Sequence, residues 1–292
     1  IGAAGQYVIG VGTCLYAALA WHLPWYICLL AAVAAGALLG AISGVLKAYL
    51  NVNEVISCIM LNWISLYLVN MLLNNVKESA SPYTLVLNNF ASQAVLPGLG
   101  LGELFSNNYV TIAIPLSVVA AIVIWVLLEK TKLGYELRAT GLNKSAARYC
   151  GMKEKRNLIL TMIIAGGLAG MRAALFYLTG FEQWQCTQSS VPAMGFNGIA
   201  AAFLGGLNPI GTIFASYFIQ HITSGGAYLD KSMYSAQIPD FISALIIYLC
   251  GFVLFFKQFM DARAARAEER AKPAAQAETP APDGDAGEGG EK

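Results

Sequence analysis

Charge is what this sequence has least of. Asp, Glu, Lys and Arg make up 12% of its 292 residues and apolar types 57%, a charged share about half that of a soluble domain. An ordinary water-soluble globule is thereby excluded, and the chain reads as a polytopic membrane protein. The net charge is +1. Its basic residues sit in a few connecting stretches rather than in a stripe, so nucleic acid is excluded as a partner. Six cysteines show no C-x-x-C spacing and read as small core residues rather than metal ligands or a disulfide set. H-E-x-x-H, G-x-S-x-G and paired-Asp constellations are missing, so neither an intramembrane hydrolase nor a metal enzyme has support. Phosphate-cradling loops are missing too. The nearest string, Gly141-Leu142-Asn143-Lys144-Ser145, lacks the first Gly and the Gly-Lys pair of a P-loop, so no ATP site, cofactor or metal is expected. Transport remains, or scaffolding in the membrane.

What is present in quantity is apolar runs near the length that crosses hydrocarbon. They fall at roughly 5–22, 25–47, 55–74, 109–128, 158–180, 209–224 and 239–256. An eighth, about 193–207, is too short and Gly-rich for an ordinary span, and Asn208-Pro209 turns the chain straight into the next run. It reads as a short or broken helix beside a pathway, or as a surface hairpin. The expected class is all-α, a transmembrane helical bundle over 1–256 with a basic juxtamembrane helix and a disordered Ala, Pro, Gly and Glu-rich tail over 257–292. Ile opens the chain with no charged segment before the first run, and further sequence is expected upstream.

Eight of the eighteen basic residues lie between Glu129 and Arg156, against three acids. Such a loop stays in the cytoplasm. Alternation then places 75–108, 181–192 and 225–238 outside and the carboxy terminus inside, in the inner or plasma membrane of a prokaryote. Within 129–156, Asn143 can cap a helix of about two turns ending at Cys150, with Gly151 in the left-handed conformation that stops it. Ala146 and Ala147 give this helix a nearly bare face, and Lys144 and Arg148 a basic edge one turn apart. That is a shape suited to docking. The 75–108 stretch either covers an outer mouth or merely connects spans.

Gly36, Gly40 and Gly44 lie four apart on one helical face, and Gly166 and Gly170 repeat the spacing. Both faces read as seams for close helix packing. Polar residues at membrane depth are costly and should face the interior or an end. They are Glu54, Asn62, Asn70, Arg172, Asn197, Gln220 and His221, with Glu182 and Gln185 just beyond a span. Glu54 suits the first turn of its helix, Arg172 either snorkels or faces a cavity, and His221 reads as a satisfied interior residue. The pathway candidates are Asn62, Glu182, Trp184, Gln185, Asn197 and Gln220. Trp184 is equally placed to anchor at the membrane interface.

Several strings resemble one family. Leu137-Arg138-Ala139-Thr140-Gly141-x-Asn143-x-x-Ala146-Ala147 resembles the L-R-A-x-G-x-N-x-x-A-A string of branched-chain amino acid and ribose-type permeases of ATP-binding-cassette (ABC) importers. Ser145 to Gly151 is similar to their E-A-A-x-x-x-G signature. Asn53-Glu54-Val55-Ile56 through Met60-Leu61-Asn62 is similar to N-E-V-I-x-T-x-M-L-N, and Gly195-Phe196-x-Gly198-Ile199-Ala200 through Pro209-Ile210-Gly211 to G-F-x-G-I-A-x-A-L-L-G-x-x-x-P-x-G. Ile1 to Gln6 looks like N-I-G-x-E-G-Q with Ala4 in place of Glu. Arg172 also departs from the pattern, standing where small apolar residues are usual, as does the tail after 261. The resemblance implies a permease of about ten helices, two of them upstream, and points to the nucleoside branch, with ribose-like sugars as the alternative. It further implies ABC ATPase subunits, a second related permease and an external lipoprotein that binds substrate. The 143–150 helix would be the coupling helix, with Arg138, Gly141, Asn143, Ala146, Ala147, Arg148 and Gly151 contacting the ATPase. A secondary transporter or channel is the competing class, weakened by the shortage of acids within the spans.

Overall fold

The computed structural model describes residues 2–98, 100, 110–192 and 194–228, with scattered positions between 235 and 263. The expected span over 239–256 and the tail fall largely or wholly outside these residues. The chain divides into units Ile1–Ser224 and Gly225–Lys292. Of the second unit the described part includes one short 3-10 turn, Gly226–Tyr228.

In the first unit the described helices are α1 (Ala3–Leu19), α2 (Trp25–Leu50), α3 (Glu54–Leu73), α4 (Leu87–Phe90), α5 (Ala113–Lys130), α6 (Lys132–Leu142), α7 (Lys144–Tyr149), α8 (Glu154–Tyr177), α9 (Met194–Leu204) and α10 (Pro209–Gly225). Four of them, α2, α3, α5 and α8, are long and apolar enough to cross a membrane, and α1 is a shorter apolar helix. The described chain pairs its extended segments only at two isolated bridges, so the structure is a helical membrane bundle.

Helix α1 is its centre, with thirteen of seventeen residues buried. It packs on α2, α3 and α8 because its small residues let neighbouring backbones approach. A methyl added at Gly10 would lie 2.8 Å from the Gly170 Cα, and one at Gly12 2.5 Å from Val69. The tightest crossing is between α2 and α8, where Gly36 faces the Gly166 carbonyl, Gly40 the Met162 carbonyl and Gly170 the Ala32 carbonyl. The two expected glycine seams are therefore one seam, each row packed into the other. Lipid tails are as apolar as Leu, so helices in a bilayer associate through such van der Waals fit rather than hydrophobicity.

Polar groups tie the helix ends. Asn53 accepts from the Val55 N–H at 2.9 Å and caps α3. Glu54 in the first turn of α3 pairs with Lys47 in the last turn of α2, Nζ to Oε2 3.6 Å. Asn62 of α3 is 8% exposed and accepts from the Gly5 N–H of α1 at 2.8 Å.

The chain after α3 is built into the fold rather than being a mere connection. Thr84 N–H donates to the Trp184 carbonyl at 2.9 Å, Trp184 N–H to Thr84 Oγ1 at 3.2 Å, and Leu96 N–H to the Leu178 carbonyl at 2.8 Å. Gln93 reaches the His22 carbonyl. Residues 76–96 and 178–188 thus form a knitted cap over the ends of α3 and α8 remote from the basic hairpin. Burial in it pushes the Cys186 thiol up from its ordinary pKa, with Lys77 opposing.

Candidate functional site

Two places bear chemistry, at different ends of α8. The first is the basic hairpin. It was expected as a loop holding one small helix, but the structure makes two helices of it. Thr131 accepts from the Gly134 N–H at 3.2 Å and starts α6. A methyl at Gly134 would meet the Leu127 carbonyl, so α6 folds sharply back on the end of α5. Asn143, in extended conformation, accepts from the Ala146 N–H at 3.1 Å and starts α7. Gly151 at φ 78° follows its end, a conformation that costs glycine nothing.

The hairpin is clamped to α8 by Asn157, 1% exposed, whose Nδ2 donates to Thr140 Oγ1 at 3.0 Å. Arg138 is paired with Glu129, holding α6 to α5. Lys144, Ala146, Arg148 and Gly141 are exposed. Ala147 is not: at 3% exposure it faces inward, and its carbonyl accepts from Met152 N–H at 3.0 Å. The expected pair of bare alanines is corrected to Ala146 alone, because a helix this short must pin one face to its own protein. The sequence reading also missed Leu142 and Tyr149, 89% and 93% exposed at the two ends of α7. Both apolar side chains stand beside the exposed basic edge of Lys144 and Arg148.

The second place is a cavity of about 550 Å³ among α1, α8, α9 and α10. One of its walls is α9, only eleven residues long. Gly206 and Leu207, at φ 67° and 59°, reverse the chain, and Asn208 caps α10 through the Ile210 N–H at 2.9 Å, with Pro209 as the first helical residue. The short helix expected at 193–207 is thus present. Its walls are mostly alanine, leucine and isoleucine, and its polar lining is Tyr7, Arg172, Asn197, Thr212 and Ser216. Arg172 lines the cavity and is exposed, its Cζ 5.5 Å from the centre of the Tyr7 ring. Tyr7 lies against Tyr177, with ring centres 6.5 Å apart, and Tyr177 edge-on to Trp184 at 6.1 Å. A file of rings therefore joins the cap to the cavity. A neighbouring space of about 880 Å³ shares Arg172 and Thr212 and is also lined by Gln220 and α5.

Of the expected pathway residues, Asn197 lines the first cavity and Gln220 the second, where its Nε2 donates to Ser224 Oγ at 3.2 Å. Trp184 is a correction. It is 1% exposed, and its indole N–H donates to Asn70 Oδ1 at 3.0 Å, so neither face nor edge is left for a substrate or a lipid interface. Asn62 lines neither cavity, and its Oδ1 is taken up by the α1 backbone. Glu182 and Gln185 sit exposed on the cap, Gln185 donating to Thr187 Oγ1 at 3.4 Å. Neither lines the cavity.

The sequence pattern of the branched-chain amino acid transport system / permease component family matches residues 1–251. The chain belongs to this permease family. It is a multi-pass membrane protein and a transport component. Among relatives, the guanosine ABC transporter permease protein NupP of Bacillus subtilis (strain 168) is 32% identical over 252 residues, covering 85% of this chain and 71% of that one. The nucleoside ABC transporter permease protein NupB of Lactococcus lactis subsp. cremoris (strain MG1363) is 32% identical over 246 residues, 81% of this chain and 66% of that one. The glucose ABC transporter permease protein TsgB13 of Haloferax volcanii is 28% identical over 271 residues, 89% and 70% of the two chains. No solved structure matches the chain.

Proposed function

We propose that this permease is the membrane subunit of an ABC importer that carries nucleosides by alternating access. Basic residues of the hairpin face the cytoplasm in this reading, and a separate ATPase docks on α7. The observation that carries it is the capped, clamped helix α7, exposing Ala146, Lys144 and Arg148 between Leu142 and Tyr149. A hairpin held this firmly to α8 by Asn157 transmits a push on α7 to the helix that lines the cavity. The substrate class is supported by the relatives named for guanosine and nucleosides. A second related permease and an external lipoprotein that binds substrate complete the assembly. Simple sugars are the second reading, favoured by the glucose relative.

Uptake of labelled guanosine, adenosine and ribose by membranes carrying the complete importer tests the substrate, with nucleoside uptake expected and ribose uptake alone refuting it. Sidedness is tested by Cys150, which is the exposed cysteine among the described ones. A membrane-impermeant maleimide should label it in inside-out vesicles and spare it in intact cells. Labelling in intact cells would reverse the orientation.

A further inference from the structure

The cavity is lined by a cation, Arg172, that no described acid pairs. Among the described residues, Arg172 has no hydrogen bond or ion pair, only the Tyr7 ring beside it, and the Asn197 amide has no hydrogen bond. The two hydroxyls nearby are already committed as donors, Thr212 Oγ1 to the Asn208 carbonyl at 2.8 Å and Ser216 Oγ to the Ile213 carbonyl at 2.9 Å. An arginine at membrane depth is costly and marks function. Its guanidinium is a planar fork of donors with no acceptor, so the missing partner is an acceptor edge.

The described lining narrows the ligand chemistry that offers one. No acid lines the cavity among the described residues, so the ammonium group of an amino acid would have no partner among them. On the nucleoside reading, a neutral ring with two adjacent acceptors meets this need. The Hoogsteen edge of a 6-oxopurine presents N7 and O6, both acceptors, to a guanidinium fork, whereas a 6-aminopurine presents N7 and an amino donor. Apolar walls suit the faces of such a ring, and about 550 Å³ accommodates a nucleoside.

We propose that Arg172 is the specificity-determining residue of the cavity, selecting 6-oxopurine nucleosides over 6-aminopurine ones through N7 and O6. This rests on the nucleoside reading above. The test uses the complete importer in vesicles, with the same external binding protein throughout so that its own preference cancels. Uptake of labelled guanosine, 7-deazaguanosine and adenosine is compared for the wild type, Arg172→Leu and Arg172→Gln, each normalised to permease in the membrane. In Arg172→Leu the guanosine to adenosine ratio is expected to fall about tenfold, and the ratio of guanosine to 7-deazaguanosine to fall with it. Arg172→Gln, which retains a donor without the fork, should lie between. Unchanged ratios in both variants, or loss of all uptake in every inserted variant, overturn the proposal. A wild type that carries ribose but no nucleoside removes the nucleoside reading itself and the proposal with it.

Discussion

Helices α2 and α5 are nearly alike in hydropathy and opposite in fate. Mean hydropathy over their apolar windows is 2.3 and 2.0. Yet α2 buries Gly36, Gly40, Ser43 and Gly44 against its neighbours, while α5 buries none of its residues within this chain. Hydrophobicity places a segment in the bilayer and says nothing about which neighbour it finds there. Shape decides that, because a bilayer offers Leu or Val on a helix the same apolar contacts as another helix would. The α5 face, with Val119, Val123 and Val126 exposed, is free for lipid or for the second permease of the proposed assembly.

The largest way to break this contrast is to fill the seam. Gly36→Leu drives a side chain into the Gly166 carbonyl, a backbone atom that cannot step aside. We expect it to cost at least the ~1–3 kcal/mol of ordinary overpacking, read as loss of thermally stable protein in detergent. Stability like that of the wild type would show that the two helices are not pressed together. The same contrast recurs in miniature on α7. Ala147→Trp should destabilise the hairpin itself by ~1–3 kcal/mol and expose it to protease, whereas Ala146→Trp should leave the isolated permease protease-resistant and cut ATPase capture by roughly tenfold or more. Intact ATPase capture by Ala146→Trp would remove α7 as the docking element. The smallest effect belongs to α5, where Val123→Ala should change the stability of the isolated chain by no more than ~0.5 kcal/mol. A larger fall would mean that this face is covered within the protein.

Much of the fold was legible because its signals are local. Gly36, Gly40 and Gly44 form a face by spacing alone, and Asn143 with Gly151 brackets α7 by capping chemistry that spans a few residues. The turn at Asn208-Pro209 follows from the fixed φ of proline. The hairpin was only half legible. Helix α6 contains two glycines, Gly134 and Gly141, and its helical state depends on Thr131 and on the clamp from Asn157, which lies outside its own pattern. Leu142 and Tyr149 gave no signal beyond being apolar in a polar stretch, since their meaning lies in remaining uncovered.

The sequence by itself determined that this is a helical membrane protein, where its glycine seam runs, and that a capped helix ends in the basic hairpin. These follow from hydropathy, side-chain size and backbone conformation, which act within a turn or two. Only the tertiary structure decided that Trp184 is a buried keystone and not a pathway aromatic, that Asn62 serves the α1 backbone, that Ala147 turns inward, and that Arg172 and Asn197 line one cavity. Each of those outcomes depends on a partner far along the chain, as Trp184 depends on Asn70. A residue's type limits which partners would satisfy it, but packing alone settles which one it reaches.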